Sequence, residues 1–110
     1  MSKIIHYIWL GNKPKSNLIK KCIASWQRYM PEWRIMEWNE TNLDINTNKY
    51  VAEAYKQGKY AFASDYFRFD IIERFGGLYL DTDVEIIKSF EDLLEDKNVV
   101  MGFEFNGETI

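Results

Sequence analysis

Two aspartates separated by one residue, Asp81 and Asp83, are the side chains whose types and spacing point most directly to chemistry. They follow the apolar run LYL, and an ionised carboxylate beside a strand core loses hydration. Two carboxylates this close repel each other unless a cation lies beside them. Mg²⁺ and Mn²⁺ are usually held by one or two carboxylates together with substrate phosphates. The pair therefore predicts a divalent-metal site that neutralises a phosphate leaving group.

An isolated Asp-x-Asp pattern is a weak signal, because two solvated aspartates in a turn have the same appearance. The preceding residues favour a site over a plain turn. They are aliphatic and aromatic rather than turn-like, and Gly76-Gly77 permits a tight bend or a close backbone approach.

A second pair of charges lies upstream in ASDYFRFD, where Asp65 and Arg68 are three residues apart on one face of a helix. Asp65 is suited to accept hydrogen bonds from sugar or ribose hydroxyls, and Arg68 to hold a phosphate or steady the aspartate. The alternative is a local surface ion pair worth only a few tenths of a kcal/mol, about 0.3–0.5. Since this helix is apolar on most faces, we expect it to be buried together with these charges.

The elements that must position these residues alternate between strands and helices. We expect strands at 4–10, 34–38 and 78–80, helices at 18–29, 50–57 and 60–75, extended chain at 84–90, a turn or short helix at 91–97 and a strand at 98–105. This order predicts an α/β fold with a mainly parallel sheet. Ligands bind beyond the carboxyl ends of such strands, which is where Asp81 and Asp83 lie.

Composition excludes several classes of function. The 110 residues are 46% apolar and 28% charged with a net charge of −3, which is ordinary for a soluble domain and argues against nucleic-acid binding. The single cysteine, Cys22, allows no intrachain disulfide and suggests a reducing, cytoplasmic location. Because the chain has only one histidine, His6, and one cysteine, it offers no usual zinc site. We expect the side chains of His6 and Cys22 to be core residues.

Three stretches of the sequence together carry a family resemblance: IIHYIWLG, CIASWQRYMPEWRIMEWNE and YAFASDYFRFDIIERFGGLYLDTDVE. In this order they resemble the DXD-containing sugar transferases of glycosyltransferase family 32, which includes capsular polysaccharide transferases of bacteria. More distantly, they are similar to the catalytic domains of large clostridial glucosylating toxins. The resemblance covers nearly the whole chain.

This resemblance implies a GT-A type fold with a Rossmann-like nucleotide-binding half. It implies transfer of a sugar, with retention, from a nucleotide-sugar donor, usually a UDP-sugar, to a glycan or polysaccharide acceptor with Mn²⁺ or Mg²⁺ as cofactor. By position, Trp9 matches the tryptophan that stacks on the base, and Asp65 and Arg68 match the pair that binds donor sugar and ribose. Asp81 matches the first DXD aspartate, near ribose and metal, and Asp83 the direct metal ligand.

Members of this family are longer than this chain. We therefore expect residues 1–110 to be the nucleotide-sugar-binding N-terminal part of the catalytic domain, inactive by itself. We also expect the strand at 98–105 to leave an exposed apolar surface, which a second copy covers or which makes the chain prone to aggregation. We expect a group of basic residues to be solvated surface: Lys13, Lys15, Lys20 and Lys21. The alternative is that they attach the protein to the inner face of the membrane.

Two other functions stay open from the sequence alone. Haloacid dehalogenase-type phosphatases also use an Asp-x-Asp pair, as nucleophile and acid/base. Against this reading, Glu85 stands where those enzymes usually carry Thr or Val, their motif opens the domain, and the Asp65–Arg68 pair would have no role. The other alternative is a non-catalytic module that binds sugar or metal, which nucleotide-dependent metal binding would distinguish from the transferase.

Overall fold

The strand β1 (Ile4–Ile8) is the centre of a three-stranded parallel sheet in the computed structural model, which describes residues 2–89. β2 (Arg34–Trp38) pairs with the full length of β1, and β3 (Leu78–Tyr79) pairs with the other side of β1 over two residues. The prediction of an α/β fold with a parallel sheet is confirmed for this part of the chain. Residues 84–89 form no strand, and the elements expected at 91–97 and 98–105 lie outside the described residues.

Four helical segments connect and flank the strands. They are α1 (Asn17–Tyr29), a 3₁₀ turn (Ile45–Thr47), α2 (Lys49–Lys56) and α3 (Tyr60–Phe75). The predicted boundaries of α1, α2 and α3 agree within one residue, whereas the 3₁₀ turn was not predicted and β1 ends two residues earlier than expected. The Ser16 hydroxyl accepts a first-turn N–H of α1, the usual role of a serine directly before a helix.

Two apolar layers hold the helices on opposite faces of the sheet. Ile5 and Tyr7 pack with Trp26 of α1 in one layer, whereas Ile8 packs with Phe67 of α3 in the other. Successive side chains of a strand point to opposite faces, so a central strand covered on both sides is apolar at nearly every position. Cys22 is buried in α1 as expected.

His6 is the polar exception in β1, and its buried ring is fully hydrogen-bonded. Nε2 lies 2.9 Å from the Gly76 carbonyl oxygen, and Nδ1 accepts from the indole N–H of Trp38 at 3.0 Å. Because one ring nitrogen must donate and the other must accept, the imidazole is neutral with its proton on Nε2. The ring thereby links β1, β2 and the end of α3, which confirms the prediction of a core histidine.

Acid is expected to destabilise the protein through His6. Burial lowers the pKa of His6 from 6.5, against the opposing effect of the Gly76 carbonyl. The unfolded chain therefore binds a proton at a higher pH than the folded chain, so this contribution to stability is complete above about pH 6.5 and is lost as the pH falls below it. Melting temperatures measured from pH 7.5 to 5 should fall more steeply for the wild type than for His6→Gln. Parallel curves would contradict this role.

The prediction that α3 is buried on most faces is wrong. Only Ala63, Phe67 and Ile71 are buried, whereas Phe62 and Phe69 are 57% and 70% exposed. The reason is geometric, since the sheet and α2 cover one side of this helix and no other described element lies on its outer side. Exposed apolar rings of this kind need an interaction or a cover that the sequence alone does not name.

Candidate functional site

The DXD residues occupy a hydrogen-bonded turn directly after β3. The Val84 N–H donates to the Asp81 carbonyl at 3.1 Å, which closes the turn, and both DXD side chains are exposed. The two aspartates thus lie in an exposed turn, which is the alternative to a metal site that the sequence left open. What distinguishes it from an ordinary surface turn is its anchoring on both sides and its surroundings.

Buried contacts hold this turn in place. Before the turn, the Leu80 N–H donates to the His6 carbonyl at 3.0 Å. After it, the Trp26 indole donates to the Val84 carbonyl at 2.8 Å, and the Ile86 N–H donates to the Ser25 hydroxyl at 2.9 Å. The exposed carboxylates are therefore carried by a segment fixed to β1 on one side and to α1 on the other.

One open cleft of about 540 Å³ lies at the carboxyl ends of β1 and β3. All five residues that the sequence singled out, Trp9, Asp65, Arg68, Asp81 and Asp83, line it. The other lining residues are Ile8, Leu10, Ile19, Tyr60, Ala61, Ser64, Tyr79 and Thr82. The fold thus brings together residues from β1, α3 and the DXD turn that are as much as 75 positions apart in the sequence, from Ile8 to Asp83.

Arg68 is held between a carboxylate and an aromatic ring. Its guanidinium lies 3.2 Å from Asp65 and 5.6 Å from the centroid of the Tyr79 ring. The side chains of Arg68 and Asp65 are 35% and 65% exposed, so the expectation that these charges are buried is wrong. They border the open cleft instead, where water hydrates them and a ligand can reach them.

Tyr79 is a cleft residue that the sequence reasoning missed. Burial raises the pKa of Tyr79, and the nearby Asp81 raises it further against the opposing charge of Arg68. Its hydroxyl is consequently protonated at neutral pH and able to donate. The signal was its spacing, because residues two apart on an extended segment, here Tyr79 and Asp81, share a face.

Tyr60 and Ser64 were missed as well, although helical spacing with Arg68 predicts their position. Residues four apart lie on one face of a helix, so 60, 64 and 68 follow one another along α3. The Tyr60 ring packs edge-on against Tyr55, whose hydroxyl donates to Glu40 at 2.7 Å. Of Tyr60, Tyr55 and Glu40, only Tyr60 lines the cleft, and the contacts with Tyr55 support its ring from outside the lining.

Trp9 is half-buried directly after β1 and is one of the residues that line the cleft. Its indole N–H donates to the Lys13 carbonyl at 2.7 Å, which fixes the orientation of the ring. Trp9 is therefore neither fully exposed nor enclosed in the core. A flat, partly exposed indole at a cleft is suited to stacking on a base.

The acidic residues at the cleft fit a hard divalent cation only if other ligands complete its shell. Within residues 2–89, no three His, Cys, Asp or Glu side chains cluster closely enough to hold a metal by themselves. Asp81 and Asp83 are exposed carboxylates on one turn, a donor set typical of Mg²⁺ or Mn²⁺ sites that are completed by water and phosphates. Cys22 contributes nothing, since burial and the nearby Glu85 and Asp83 raise the pKa of its thiol.

Among the described helices, none is long and apolar enough to cross a membrane.

Comparison with known proteins supports a specific family. In fold, the chain is similar to a solved structure described as "PaToxG Glycosyltransferase", with a TM-score of 0.63 and 22% sequence identity. The match covers 81% of this chain and 44% of that one, so this chain spans less than half the length of the similar structure. Comparison with curated proteins gave no significant match.

The family model described as "Glycosyltransferase sugar-binding region containing DXD motif" matches residues 16–100. That range contains the Asp65–Arg68 pair and both DXD aspartates, whereas Trp9 precedes it. The family resemblance inferred from the sequence motifs is thereby confirmed. The chain belongs to the family of glycosyltransferase sugar-binding regions that contain a DXD motif.

Proposed function

We propose that this protein binds a nucleotide-sugar donor, a UDP-sugar in the first instance, and takes part in metal-dependent transfer of the sugar, with retention, to a glycan or polysaccharide acceptor. In this proposal residues 1–110 are the donor-binding part of a GT-A domain. The observation that carries it is the shared cleft lined by Trp9, Asp65, Arg68, Asp81 and Asp83. Stacking, hydroxyl-binding, cationic and metal-binding groups are all within reach of one ligand there.

Each group has a role that follows from its chemistry. Trp9 stacks on the base, and Asp65 accepts hydrogen bonds from ribose or donor-sugar hydroxyls. Arg68, steadied by Asp65 and the Tyr79 ring, orients toward the diphosphate. These contacts bind donor and transition state together, so they govern donor affinity more than the rate of the chemical step.

Asp81 and Asp83 are the residues that would hold Mn²⁺ or Mg²⁺. When bound, the metal supplies positive charge that neutralises the departing nucleoside diphosphate. The turn that carries the two carboxylates is anchored to β1 and α1, so the carboxylates need little reorganisation to receive the ion.

The phosphatase alternative loses support with the family assignment and with the place of the motif. Asp81 follows the third strand of the described sheet rather than the first. The second alternative, a non-catalytic module, would bind its ligand without transferring a sugar. Measuring binding and turnover together therefore distinguishes it from a transferase. We also propose that the protein acts in the cytoplasm of a bacterium, in capsule synthesis. The exposed rings of α3 are the proposed surface for self-association.

The direct test is a panel of nucleotide sugars incubated with the protein in MnCl₂ or in EDTA. Melting temperature reports binding, since a ligand at 100 times its Kd adds about 2.7 kcal/mol of stability. Release of nucleoside diphosphate, with and without oligosaccharide acceptors, reports transfer or hydrolysis. Metal-dependent stabilisation by one nucleotide class supports the proposal. Stabilisation by free sugars alone would support a lectin-like module instead.

Replacing Trp9 with alanine is expected to weaken donor binding more than turnover. Loss of one stacking contact worth about 1–3 kcal/mol should raise the donor KM by about five- to a hundredfold, with a smaller change in kcat. Steady-state kinetics on a soluble, folded and active enzyme that contains these residues would measure this split. Unchanged nucleotide affinity in a stable Trp9→Ala variant would contradict the assignment, and Phe62→Ala, at an exposed ring outside the cleft lining, is the matched control.

A further inference from the structure

Lys15 forms a cluster with Trp9 that the family motifs do not include. Its Nζ lies 5.6 Å from the centroid of the Trp9 ring and 5.9 Å from that of the Tyr7 ring. The same ammonium forms an ion pair with Glu37 Oε1 at 2.7 Å, with the two side chains 23% and 30% exposed. One half-buried cation therefore joins the loop after β1 to the indole of Trp9 and to β2.

Glu37 is itself a fixed anchor. Its carboxylate accepts from the Tyr7 hydroxyl at 2.6 Å and from the Asn39 side-chain amide at 2.5 Å. Burial acts to raise the pKa of Glu37, but the hydrogen bonds from Lys15, Tyr7 and Asn39 outweigh it and lower that pKa. The carboxylate is thus ionised at neutral pH and held by three donors, which limits the movement of Lys15.

The contacts on the Trp9 indole come from outside the cleft. Trp9 lines the cleft, whereas neither Lys13, which accepts the indole N–H, nor Lys15 does. The residues that hold the indole thus lie outside the set of residues that line the cleft. An aromatic side chain that is ordered before binding loses less conformational freedom when a ligand stacks on it.

We propose that Lys15, anchored by Glu37, is a positioning residue that orients the Trp9 indole for stacking on the base of a nucleoside diphosphate. This inference rests on the proposed function and adds a residue outside the cleft that sets donor affinity. Lys15 acts through Trp9 and does not contact the nucleotide. Its effect must therefore disappear when Trp9 is absent.

The experiment measures the Kd of UDP, and of GDP as a second probe, by calorimetry in saturating MnCl₂. Lys15→Met keeps the length of the side chain and removes the charge, and the expected increase in Kd is about two- to fivefold, the scale of a partly exposed cation–π contact. Glu37→Gln should give a similar increase, and Lys15→Arg should restore affinity close to wild type. Lys20→Met removes an exposed charge of the same basic group and should have no effect.

A double-mutant cycle distinguishes positioning from direct binding. Trp9→Ala/Lys15→Met should bind no more weakly than Trp9→Ala alone. In the free protein, the indole ¹H–¹⁵N signal that Trp9→Phe removes should shift or broaden in Lys15→Met. This signal reports the orientation of the ring without any ligand.

Three results would overturn the inference. If Trp9→Ala weakens UDP binding and Lys15→Met does not, Lys15 has no positioning role although the proposed function stands. If the double variant binds much more weakly than Trp9→Ala, Lys15 acts on the nucleotide directly. If the wild type binds neither probe, the proposed function fails and the inference fails with it. Should Lys15→Met not fold, Glu37→Gln carries the same cycle.

Discussion

In an active enzyme that contains these residues, replacing Asp83 with asparagine is expected to reduce sugar transfer at least about a hundredfold, the scale on which losing one preorganised electrostatic group slows a reaction. Asparagine keeps the shape of the side chain but removes the negative charge that a hard divalent cation requires. Asp83 is exposed on its turn, and the buried anchors of that turn come from other residues. The substitution should therefore leave the melting temperature nearly unchanged while it removes metal binding.

The measurement combines turnover with Mn²⁺ binding by electron paramagnetic resonance, so that loss of metal is seen independently of catalysis. Asp70→Asn is the matched control, since Asp70 pairs with Arg74 on α3 at 3.4 Å and does not line the cleft. The control should retain both metal binding and activity. Wild-type turnover of Asp83→Asn at limiting Mn²⁺ would contradict the assignment of Asp83 as a metal ligand.

The parts of the fold that the sequence predicted well are those with local signals. Ser16 before α1 and Gly58 after α2 each satisfy helix-end groups within one turn, so their effect is readable without tertiary information. The burial of α3 was not readable in this way. Its apolar residues on all sides suggested an interior helix, but exposure depends on which other elements pack against it, and this is not a local property.

The candidate site shows the same division. Asp81 and Asp83 stood out because paired carboxylates after an apolar strand are costly, and the motifs located Trp9 as well. Tyr79 did not stand out, since a tyrosine in a strand resembles any core aromatic residue. Lys15 was grouped with solvated lysines because its partner, Glu37, is 22 residues away. Pairings of this range arise from the parallel register of β1 and β2, which the sequence does not specify in detail.

Replacing Gly77 with alanine is expected to destabilise the protein by about 2–5 kcal/mol. Gly77 has φ 87°, and a Cβ at this position would lie 2.6 Å from the Ile4 carbonyl oxygen. The left-handed backbone costs about 1–2 kcal/mol for a residue with a side chain, and the overpacking against a strand adds about 1–3 kcal/mol. The second cost arises because the obstructing atom belongs to the backbone of the segment that begins β1 and cannot rotate away.

Gly58 provides a control that separates these two costs. It also has a positive φ, 77°, but a Cβ added there would meet no heavy atom within 4 Å, so Gly58→Ala should lose only the backbone contribution of about 1–2 kcal/mol. Urea unfolding of both variants would measure the difference. Because β3 pairs with β1 over only two residues, displacing Gly77 should also move the DXD turn and weaken Mn²⁺ binding in the folded protein, an effect that Gly58→Ala should not share. Equal loss of stability in the two variants would show that the close approach of Gly77 to β1 adds no cost of its own, and equal Mn²⁺ binding would show that it does not hold the DXD turn in place.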